Sequence, residues 1–285
     1  MMETSGPGRN GGLAIAALPT IPVSRGRIVA RATGAQAGTA DRTSERCGER
    51  NGRRQLTEPH LPRLSVDIVS DVMCPWCIIG WLKFRQVMDH FKGRLDFRVQ
   101  WHPFQLNPDM PPDGEDAAAH VMRKYGISAD QSRANAARLA AIADKLGFAF
   151  NRGPDFRMRN SFDAHRLLTW AGALESSDQQ AATGVQTALK LALFRAHFTD
   201  NRDVSDHGVL ADVAASVGLA RTRAAAILAS DEFGEMVRTE EHWWAERNIT
   251  GVPAFILGGQ MLVSGAQDAE LFIRVIERKI LAPAA

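Results

Sequence analysis

Two cysteines separated by two residues are the part of this sequence best suited to chemistry. Cys74 and Cys77 enclose Pro75 and Trp76 in a Cys-Pro-Trp-Cys motif. If Cys74 caps a helix, Pro75 takes the first helical position, where the N–H that proline lacks has no partner to lose. Cys77 then lies one turn further along the same face, at a separation that a disulfide can bridge. The motif predicts a redox-active pair with Cys74 and Cys77 as catalytic residues.

The start of a helix would favour the thiolate of Cys74, which we expect to be the exposed sulfur. Free N–H groups of the first turn and the positive end of the helix dipole both stabilise an anion there. We expect the pKa of Cys74 to fall from ~8.5 toward the ~3.5 to 7.5 range of such motifs. A stable thiolate leaves readily, which makes the disulfide more oxidising. Trp76 adds no cation, so we expect a weaker oxidant than a Cys-Pro-His-Cys enzyme.

The cysteine count argues against a purely structural pair. Three cysteines are too few for the disulfide framework of a small secreted protein. The loop between Cys74 and Cys77 is also too short to restrict the unfolded chain much. A zinc site needs more ligands than this sequence groups together, so we expect no bound metal. Cys47 is expected to be an incidental thiol, with mixed-disulfide regulation as the alternative.

Apolar periodicity predicts a strand, a helix and a strand around the motif. Leu64–Val69 is a short β-prone run. From Cys77 to Phe91 the apolar residues step by three and four, as on a helix that lies on a sheet. Leu95–Trp101 then alternates apolar and polar residues, as in a strand with one buried face.

The rest of the chain predicts helices first and then a helix, two strands and a helix. Helical stripes and caps fill residues 111–230. The later elements are a helix from Asp231 to Asn248, strands over 252–257 and 260–264 around a Gly-Gly turn, and a helix over 269–281. This order predicts an α/β protein with a thioredoxin-like fold (β-α-β … α-β-β-α) and an inserted all-α helical domain.

The predicted domains follow from this order. Residues 63–110 form the first part of the thioredoxin-like domain, residues 111–230 the helical insertion, and residues 231–285 the second part. Residues 1–62 are rich in Gly, Arg, Ala, Thr and Ser and show no periodicity. We therefore expect them to be a disordered extension.

The composition limits the class of protein, its partners and its location in the cell. An apolar content of 45% suits a globular protein in water, and a net charge of +2 does not suggest nucleic acid as a partner. No stretch approaches the ~18 to 20 apolar residues of a membrane span. Residues 11–23 resemble a weak signal-peptide core, which Pro19 and Pro22 interrupt. We expect a cytoplasmic protein, with import into the periplasm or an organelle left open.

Five segments resemble the DsbA-like thioredoxin-fold oxidoreductases, and within them the FrnE-like branch of predicted dithiol–disulfide isomerases. They are Ser70–Cys77, Pro103–Met110, Phe162–Arg166, Gly251–Phe255 and Val263–Gln267. The resemblance covers residues 64 to about 281. In that family the active-site helix begins at the first cysteine and a cis-proline lies opposite it. The resemblance thus implies that Val252 and Pro253 bind substrate, with a cis bond that suits pairing with an extended peptide.

The resemblance implies an enzyme that oxidises, reduces or isomerises disulfides of proteins or peptides. No bound cofactor is expected beyond the cysteine pair, although glutathione could be a co-substrate, and a thioredoxin or glutathione system could be the redox partner. One alternative is a glutathione-dependent enzyme similar to kappa-class transferases and hydroxychromene-carboxylate isomerases, which typically have serine where this chain has Cys74. Another is a peptide-binding chaperone. Neither nucleic acid nor a membrane is expected as a partner.

Each of three further polar residues near the motifs has two possible roles. Asp71 could accept a proton during exchange, but a turn before the helix is favoured. His165 and Asn160 resemble a family segment that faces the active-site cleft, and a core or capping role is at least as plausible. None of the three is assigned a catalytic role.

Overall fold

The computed structural model describes residues 15–17, 61–153, 155–177 and 184–281. In chain order the elements are β1 (Ile15–Ala17), β2 (Arg63–Ser70), α1 (Pro75–His90), β3 (Asp96–Pro103), β4 (Glu115–Asp116), α2 (Ala117–Tyr125), α3 (Ala129–Lys145), β5 (Arg157–Met158), α4 (Phe162–Ser177), α5 (Val185–Phe198), α6 (His207–Ser216), α7 (Arg221–Leu228), α8 (Gly234–Glu246), β6 (Ala254–Leu257), β7 (Met261–Ser264) and α9 (Ala269–Val275), which continues into a π-helical turn (Ile276–Ile280). None of the helices in these residues combines the length and the apolar character that crossing a bilayer requires.

A mixed sheet with the strand order β1-β7-β6-β2-β3 forms the centre of the fold. Strand β2 lies between β6 and β3, runs parallel to β3 and antiparallel to β6, and places Val66 opposite both Val99 and Leu257. Ile68 and Val69 point to opposite faces of this strand and are both buried, because both faces are covered. The α/β thioredoxin-like fold with a helical insertion is therefore confirmed.

The helical insertion contains a small sheet that the sequence analysis did not predict. β4 and β5 pair antiparallel, with Glu115 opposite Met158. The guanidinium of Arg157 donates hydrogen bonds to the carbonyls of Asp113 and Gly114, which hold the two segments together. Two-residue strands carry too little periodicity to be seen in a sequence. The description of this block as all-α was wrong in that detail.

Two other boundaries differ from the predictions. Helix α8 begins at Gly234 rather than at Asp231, because residues 231–233 form a turn in which the N–H of Gly234 donates to the Asp231 carbonyl, and Phe233 has a φ of 65°. Ile15–Ala17 pairs antiparallel with β7 although residues 1–62 were predicted to be disordered. The remainder of that prediction up to residue 60, including Cys47, lies outside the described residues.

Helix α1 is anchored on the sheet by an aromatic cluster and a close backbone approach. The Phe84 ring lies 5.4 Å from that of Phe255 and 5.2 Å from that of Phe272, centroid to centroid. One turn earlier, a Cβ atom added to Gly80 would lie 3.0 Å from Cγ of Pro253. Glycine at this position therefore lets the helix and the Pro253 loop approach each other closely.

Replacement of Gly80 by valine should force these two segments apart. We expect Gly80→Val to lower the free energy of unfolding by about 1–3 kcal/mol through overpacking against Pro253. Gln86→Val is the matched control, because Gln86 is exposed on the same helix and should cost less than about 1 kcal/mol. Urea denaturation measures the free energy of unfolding of both variants. Equal losses in the two variants would contradict a special packing role for Gly80.

A buried histidine links the sheet to α8. His102 in β3 contacts the Asp67 carboxylate through Nε2 at 2.9 Å and the Glu240 carboxylate through Nδ1. Burial by itself lowers the pKa of His102, but the hydrogen bonds to Asp67 and Glu240 and the charges of both outweigh it and raise the pKa to about 9. The imidazolium therefore bridges β2 and α8 at neutral pH.

The stability that His102 contributes should depend on pH in a defined direction. Because its folded-state pKa of about 9 exceeds the ordinary value of 6.5, the contribution is complete below the ordinary value and is lost as the pH rises through the folded value. Urea denaturation between about pH 6 and about pH 10 should show a falling free energy of unfolding in the wild type. His102→Gln should lose that slope, and an unchanged slope in the variant would refute the bridge.

Candidate active site

The cysteine pair lies at the start of α1, as the sequence predicted. Cys74 is the N-cap residue, Pro75 is the first residue of the helix, and the N–H of Cys77 donates to the Cys74 carbonyl at 3.0 Å. Both cysteines are free thiols. The two sulfurs therefore occupy the predicted positions, one turn apart.

The exposure predicted for Cys74 is wrong. Cys74 is 4% exposed and Cys77 1%, whereas Trp76 between them is 39% exposed. The Cys74 thiol points toward the carbonyl of Val252, with 3.6 Å between sulfur and oxygen. The Val252 loop thus covers the sulfur that the sequence placed at the surface.

The segment opposite Cys74 contains the proline that the family resemblance singled out. The Val252–Pro253 peptide bond is cis. The N–H of Gly265 donates to the Pro253 carbonyl at 2.8 Å, which ties this loop to the end of β7. A groove of about 310 Å³ opens beside it and is lined by Asn248, Ile249, Thr250, Gly251, Val252, Pro253, Ala254, Ser264 and Gly265.

The electrostatics of the pair also differ from the prediction. The hydrogen bond with Cys77, burial, and the charges of Cys77 and Asp71 raise the pKa of Cys74. The N–H of Cys77, in the first helical turn, lowers the pKa of Cys74, but the other effects outweigh it, so this pKa lies above its ordinary value rather than below it as predicted. Burial opposes ionisation of Cys77, but the hydrogen bond from Cys74, the Ser70 hydroxyl and the Lys190 charge lower its pKa. When the reduced pair loses a proton, Cys77 therefore loses it before Cys74.

Asp71 is a buried carboxylate that holds the turn before α1. Its oxygens accept hydrogen bonds from the N–H groups of Met73 at 3.1 Å and Leu106 at 2.7 Å. Burial opposes its ionisation, yet the interaction with His165 and the two N–H groups lower its pKa. The favoured role in a turn is thus observed, and the carboxylate also connects this turn to Leu106.

His165 and Asn160 lie beside this turn. His165 Nε2 is 3.1 Å from the Phe104 carbonyl and 3.6 Å from Asp71, and burial lowers the pKa of its imidazole. The side-chain oxygen of Asn160 accepts the N–H of Phe162 at the start of α4, which is a capping contact. In the part of the chain that the structure describes, no group of three or more His, Cys, Asp or Glu side chains could hold a metal ion.

Two titratable residues near the site were missed by sequence reasoning. Lys190 in α5 is fully buried and its Nζ donates to the Ser70 carbonyl at 3.2 Å. Burial and the nearby charge of Asp71 raise the pKa of Glu241 in α8 to about 7. A signal for Lys190 existed, because it precedes Leu193 by three residues and Phe194 by four and so shares their apolar helix face.

Comparison with known proteins gives a family for this arrangement. The sequence profile of the DSBA-like thioredoxin domain matches residues 65–277. The chain belongs to this DSBA-like family. A probable DsbA oxidoreductase from Streptomyces coelicolor is 32% identical, with 78% of this chain and 92% of that chain covered and a TM-score of 0.69.

Two further proteins resemble this chain. The protein YwbO from Bacillus subtilis is 25% identical over 215 residues, which cover 74% of this chain and 94% of YwbO. A 2-hydroxychromene-2-carboxylate isomerase has the same fold, with a TM-score of 0.54 and 16% identity over 75% of this chain and 95% of that chain. Its likeness to this chain is one of fold alone.

Removal of the Asp71 carboxylate should destabilise the turn before α1. Asp71→Ala leaves the N–H groups of Met73 and Leu106 without acceptors, so we expect a loss of about 2–4 kcal/mol in the free energy of unfolding at neutral pH. Asp109→Ala is the control, because Asp109 is an exposed aspartate nearby in the chain. It should change the free energy of unfolding by less than about 0.5 kcal/mol.

Unfolding at acidic pH is a second test of the Asp71 carboxylate. Its folded-state pKa lies below the ordinary value of 3.8, so its contribution is present above that value and is lost as the pH falls through the folded value. The difference in the free energy of unfolding between the wild type and Asp71→Ala, measured by urea denaturation, should therefore become smaller as the pH falls. A constant difference would show that the charge of Asp71 makes no contribution.

Proposed function

We propose that this chain catalyses thiol–disulfide exchange on protein or peptide substrates through Cys74 and Cys77. The observation that carries the proposal is the position of these free thiols at the start of α1, with Cys74 in contact with Val252 beside the cis-Pro253 bond. Membership in the DSBA-like family supports it. The identity of 32% to the Streptomyces coelicolor DsbA-type protein gives further support.

The two cysteines have different roles in this proposal. Cys74 is the sulfur nearer the surface and the groove, so it forms the mixed disulfide with the substrate. Cys77 has the lowered pKa, so it is the better leaving group when a substrate thiolate attacks Cys74. In the opposite direction, the Cys77 thiolate attacks Cys74 and expels the substrate thiolate. The same chemistry therefore serves oxidation, reduction and isomerisation.

The Val252 carbonyl couples the redox state of Cys74 to peptide binding. In the reduced state it faces the Cys74 thiol at 3.6 Å. A Cys74 sulfur within a disulfide has no proton to donate, so this carbonyl becomes free to accept an N–H from an extended peptide. Val252 and Pro253 would then bind the backbone of the substrate, and the exposed face of Trp76 would contact one of its apolar side chains.

Small thiols or a second redox protein would complete the cycle. The cysteine pair carries the electrons, so no bound cofactor is needed in this proposal. Glutathione or a thioredoxin system would regenerate the disulfide or the dithiol, and the direction of net reaction would follow the ratio of oxidised to reduced partner. Protein or peptide thiols and disulfides are the proposed substrates.

Cysteine variants test this function directly. Cys74→Ser should reduce insulin reduction and the reactivation of scrambled ribonuclease by at least about 10³-fold, because the attacked sulfur is lost. Cys77→Ser should accumulate a mixed disulfide between Cys74 and a substrate peptide, visible by mass spectrometry under non-reducing conditions. Cys47→Ser is the matched control and should retain activity.

The same variants separate the alternatives. Full turnover by Cys74→Ser with glutathione present would assign the chemistry to the sulfur of glutathione, as in a kappa-class transferase or an isomerase. Suppression of aggregation by Cys74→Ser, without any disulfide turnover by the wild type, would indicate a peptide-binding chaperone. Either result would overturn thiol–disulfide exchange.

A further inference from the structure

Helix α1 meets the loops beside the cis-proline at three successive places. Cys74, at its start, contacts the Val252 carbonyl at 3.6 Å. Gly80 lies against the Pro253 ring, where an added Cβ atom would come within 3.0 Å of Cγ. Three residues later, Lys83 reaches the loop that joins β7 to α9. The helix that begins at the cysteine pair therefore also contacts both of the loops that face it.

Lys83 holds the loop between β7 and α9 (residues 265–268) through two acceptors. Its ammonium donates to the Ala266 carbonyl at 3.1 Å and to the Asp268 carboxylate at 2.6 Å. The side chain of Lys83 is 19% exposed and that of Asp268 is 77% exposed. The bond to the Ala266 carbonyl is therefore the better protected from water, and an ionised donor makes it stronger than a bond between neutral groups.

The Asp268 carboxylate makes this long-range contact in place of a local one. Asp268 is the N-cap residue of α9, where an aspartate usually accepts an N–H from the first turn of its own helix. Within the described residues its side chain makes no such capping bond. One of its oxygens accepts from Lys83 instead. The carboxylate thus links the loop to α1 rather than stabilising the end of α9.

Hydrogen bonds within the loop make it a stiff unit. The N–H of Gln267 donates to the Gly265 carbonyl at 3.0 Å, and its side-chain Nε2 donates to the Ser264 carbonyl at 2.9 Å. A restraint applied at Ala266 is therefore transmitted to Gly265, its neighbour in the chain.

The loop in turn holds the cis-proline. The N–H of Gly265 donates to the Pro253 carbonyl at 2.8 Å. Pro253 follows Val252 across the cis bond, and the Val252 carbonyl faces the Cys74 thiol. Gly265, Val252 and Pro253 all line the groove. A shift of the loop would therefore change both the cover over Cys74 and the shape of the groove.

We propose that Lys83 is a positioning residue of the exchange reaction, which holds the loop between β7 and α9 on α1 and thereby sets how closely Val252 and Pro253 approach Cys74. This inference rests on the proposed function and adds to it the residue that fixes the width of the peptide groove. Lys83 acts through the loop and takes no part in the transfer of electrons.

Loss of the Lys83 ammonium should affect small reagents and peptides in opposite directions. Cys74 is 4% exposed and faces the Val252 carbonyl. A loosened loop uncovers this sulfur, so a small alkylating reagent reaches it more readily. A peptide instead requires the groove and the Val252 carbonyl in a fixed arrangement, and its binding weakens when it must first order a loosened loop. A residue that only stabilised the fold would not produce these two opposite changes.

Variants on both sides of the contact test the inference, each with a matched control. Lys83→Met removes the ammonium and keeps a long apolar stem, whereas Lys83→Arg keeps a charged donor. Asp268→Ala removes only the exposed acceptor. Arg85→Met controls for the loss of a cation, because Arg85 is exposed on the same helix. Val213→Ala controls for a loss of stability alone, because Val213 is buried in α6 of the helical insertion.

Two measurements on the folded full-length proteins give the readouts. In turnover of a peptide disulfide, Lys83→Met should raise KM by about three- to tenfold and leave kcat within about twofold. Alkylation of Cys74 by iodoacetamide in the reduced protein, followed by mass spectrometry, should become at least about threefold faster in this variant.

The other variants should follow from the same contacts. Lys83→Arg should stay within about twofold of the wild type in both measurements, because the charged donor remains. Asp268→Ala should shift both in the same directions as Lys83→Met and by less, because the bond to the Ala266 carbonyl remains. Arg85→Met should match the wild type. Val213→Ala should lower the free energy of unfolding and leave both KM and the alkylation rate unchanged.

The outcomes distinguish this inference from the function on which it rests. If the wild type does not turn over the peptide disulfide, the proposed function fails. If it does and Lys83→Met leaves KM and the alkylation rate unchanged, only the role of Lys83 fails. Equal changes in Lys83→Met and Val213→Ala would also overturn that role, because they would reflect a general loss of stability. Should Lys83→Met not fold, unchanged values in Asp268→Ala would overturn it.

Discussion

Exclusion of water from the space beneath the start of α1 is the constraint on which the rest of this site depends. Cys77, Asp71, His165 and Lys190 are all at most 1% exposed. Charges in such a medium interact strongly and are costly to leave without partners. Each of these groups must therefore be compensated by another part of the fold, and a change in the charge of one alters the pKa of its neighbours.

This constraint explains why the helical insertion and the thioredoxin-like part form one site. The sheet and α1 provide the two sulfurs and the Asp71 turn. The insertion provides His165 from α4 and Lys190 from α5. Their polar atoms reach the loop carbonyl of Phe104 and the strand-end carbonyl of Ser70. The insertion thus contributes to the electrostatics of the pair as well as covering the sheet.

Two sources of positive potential affect which of the two cysteines has the lower pKa. The N-terminus of a helix offers roughly half of an elementary charge, and it acts on an atom that its N–H groups contact. A buried ammonium carries a full charge in a medium that screens it poorly. The N–H of Cys77 lowers the pKa of Cys74 without offsetting the effects that raise it, whereas the Lys190 charge is among the effects that lower the pKa of Cys77. The sulfur that contacts Val252 and the sulfur with the lowered pKa are therefore different atoms.

Local patterns were sufficient for the strands and the helix around the cysteine pair and for the place of the pair on that helix. Cys74 at the N-cap, Pro75 at the first helical position and Cys77 one turn later follow from the residue types and from backbone rules that act over four residues. The strands around the motif follow from alternation, and the cis bond at Val252–Pro253 agrees with what the family resemblance implied.

Burial and charge at the site depended instead on contacts between residues far apart in the chain. The Val252 loop covers Cys74 from 178 positions away, and Lys190 reaches Ser70 from 120 positions away. Helix periodicity shows that Lys190 shares the apolar face of α5, but it does not show what that face packs against. The exposure and the pKa of each cysteine depend on these packing partners, and only the folded chain brings them together, because desolvation and Coulomb interactions act through space rather than along the sequence.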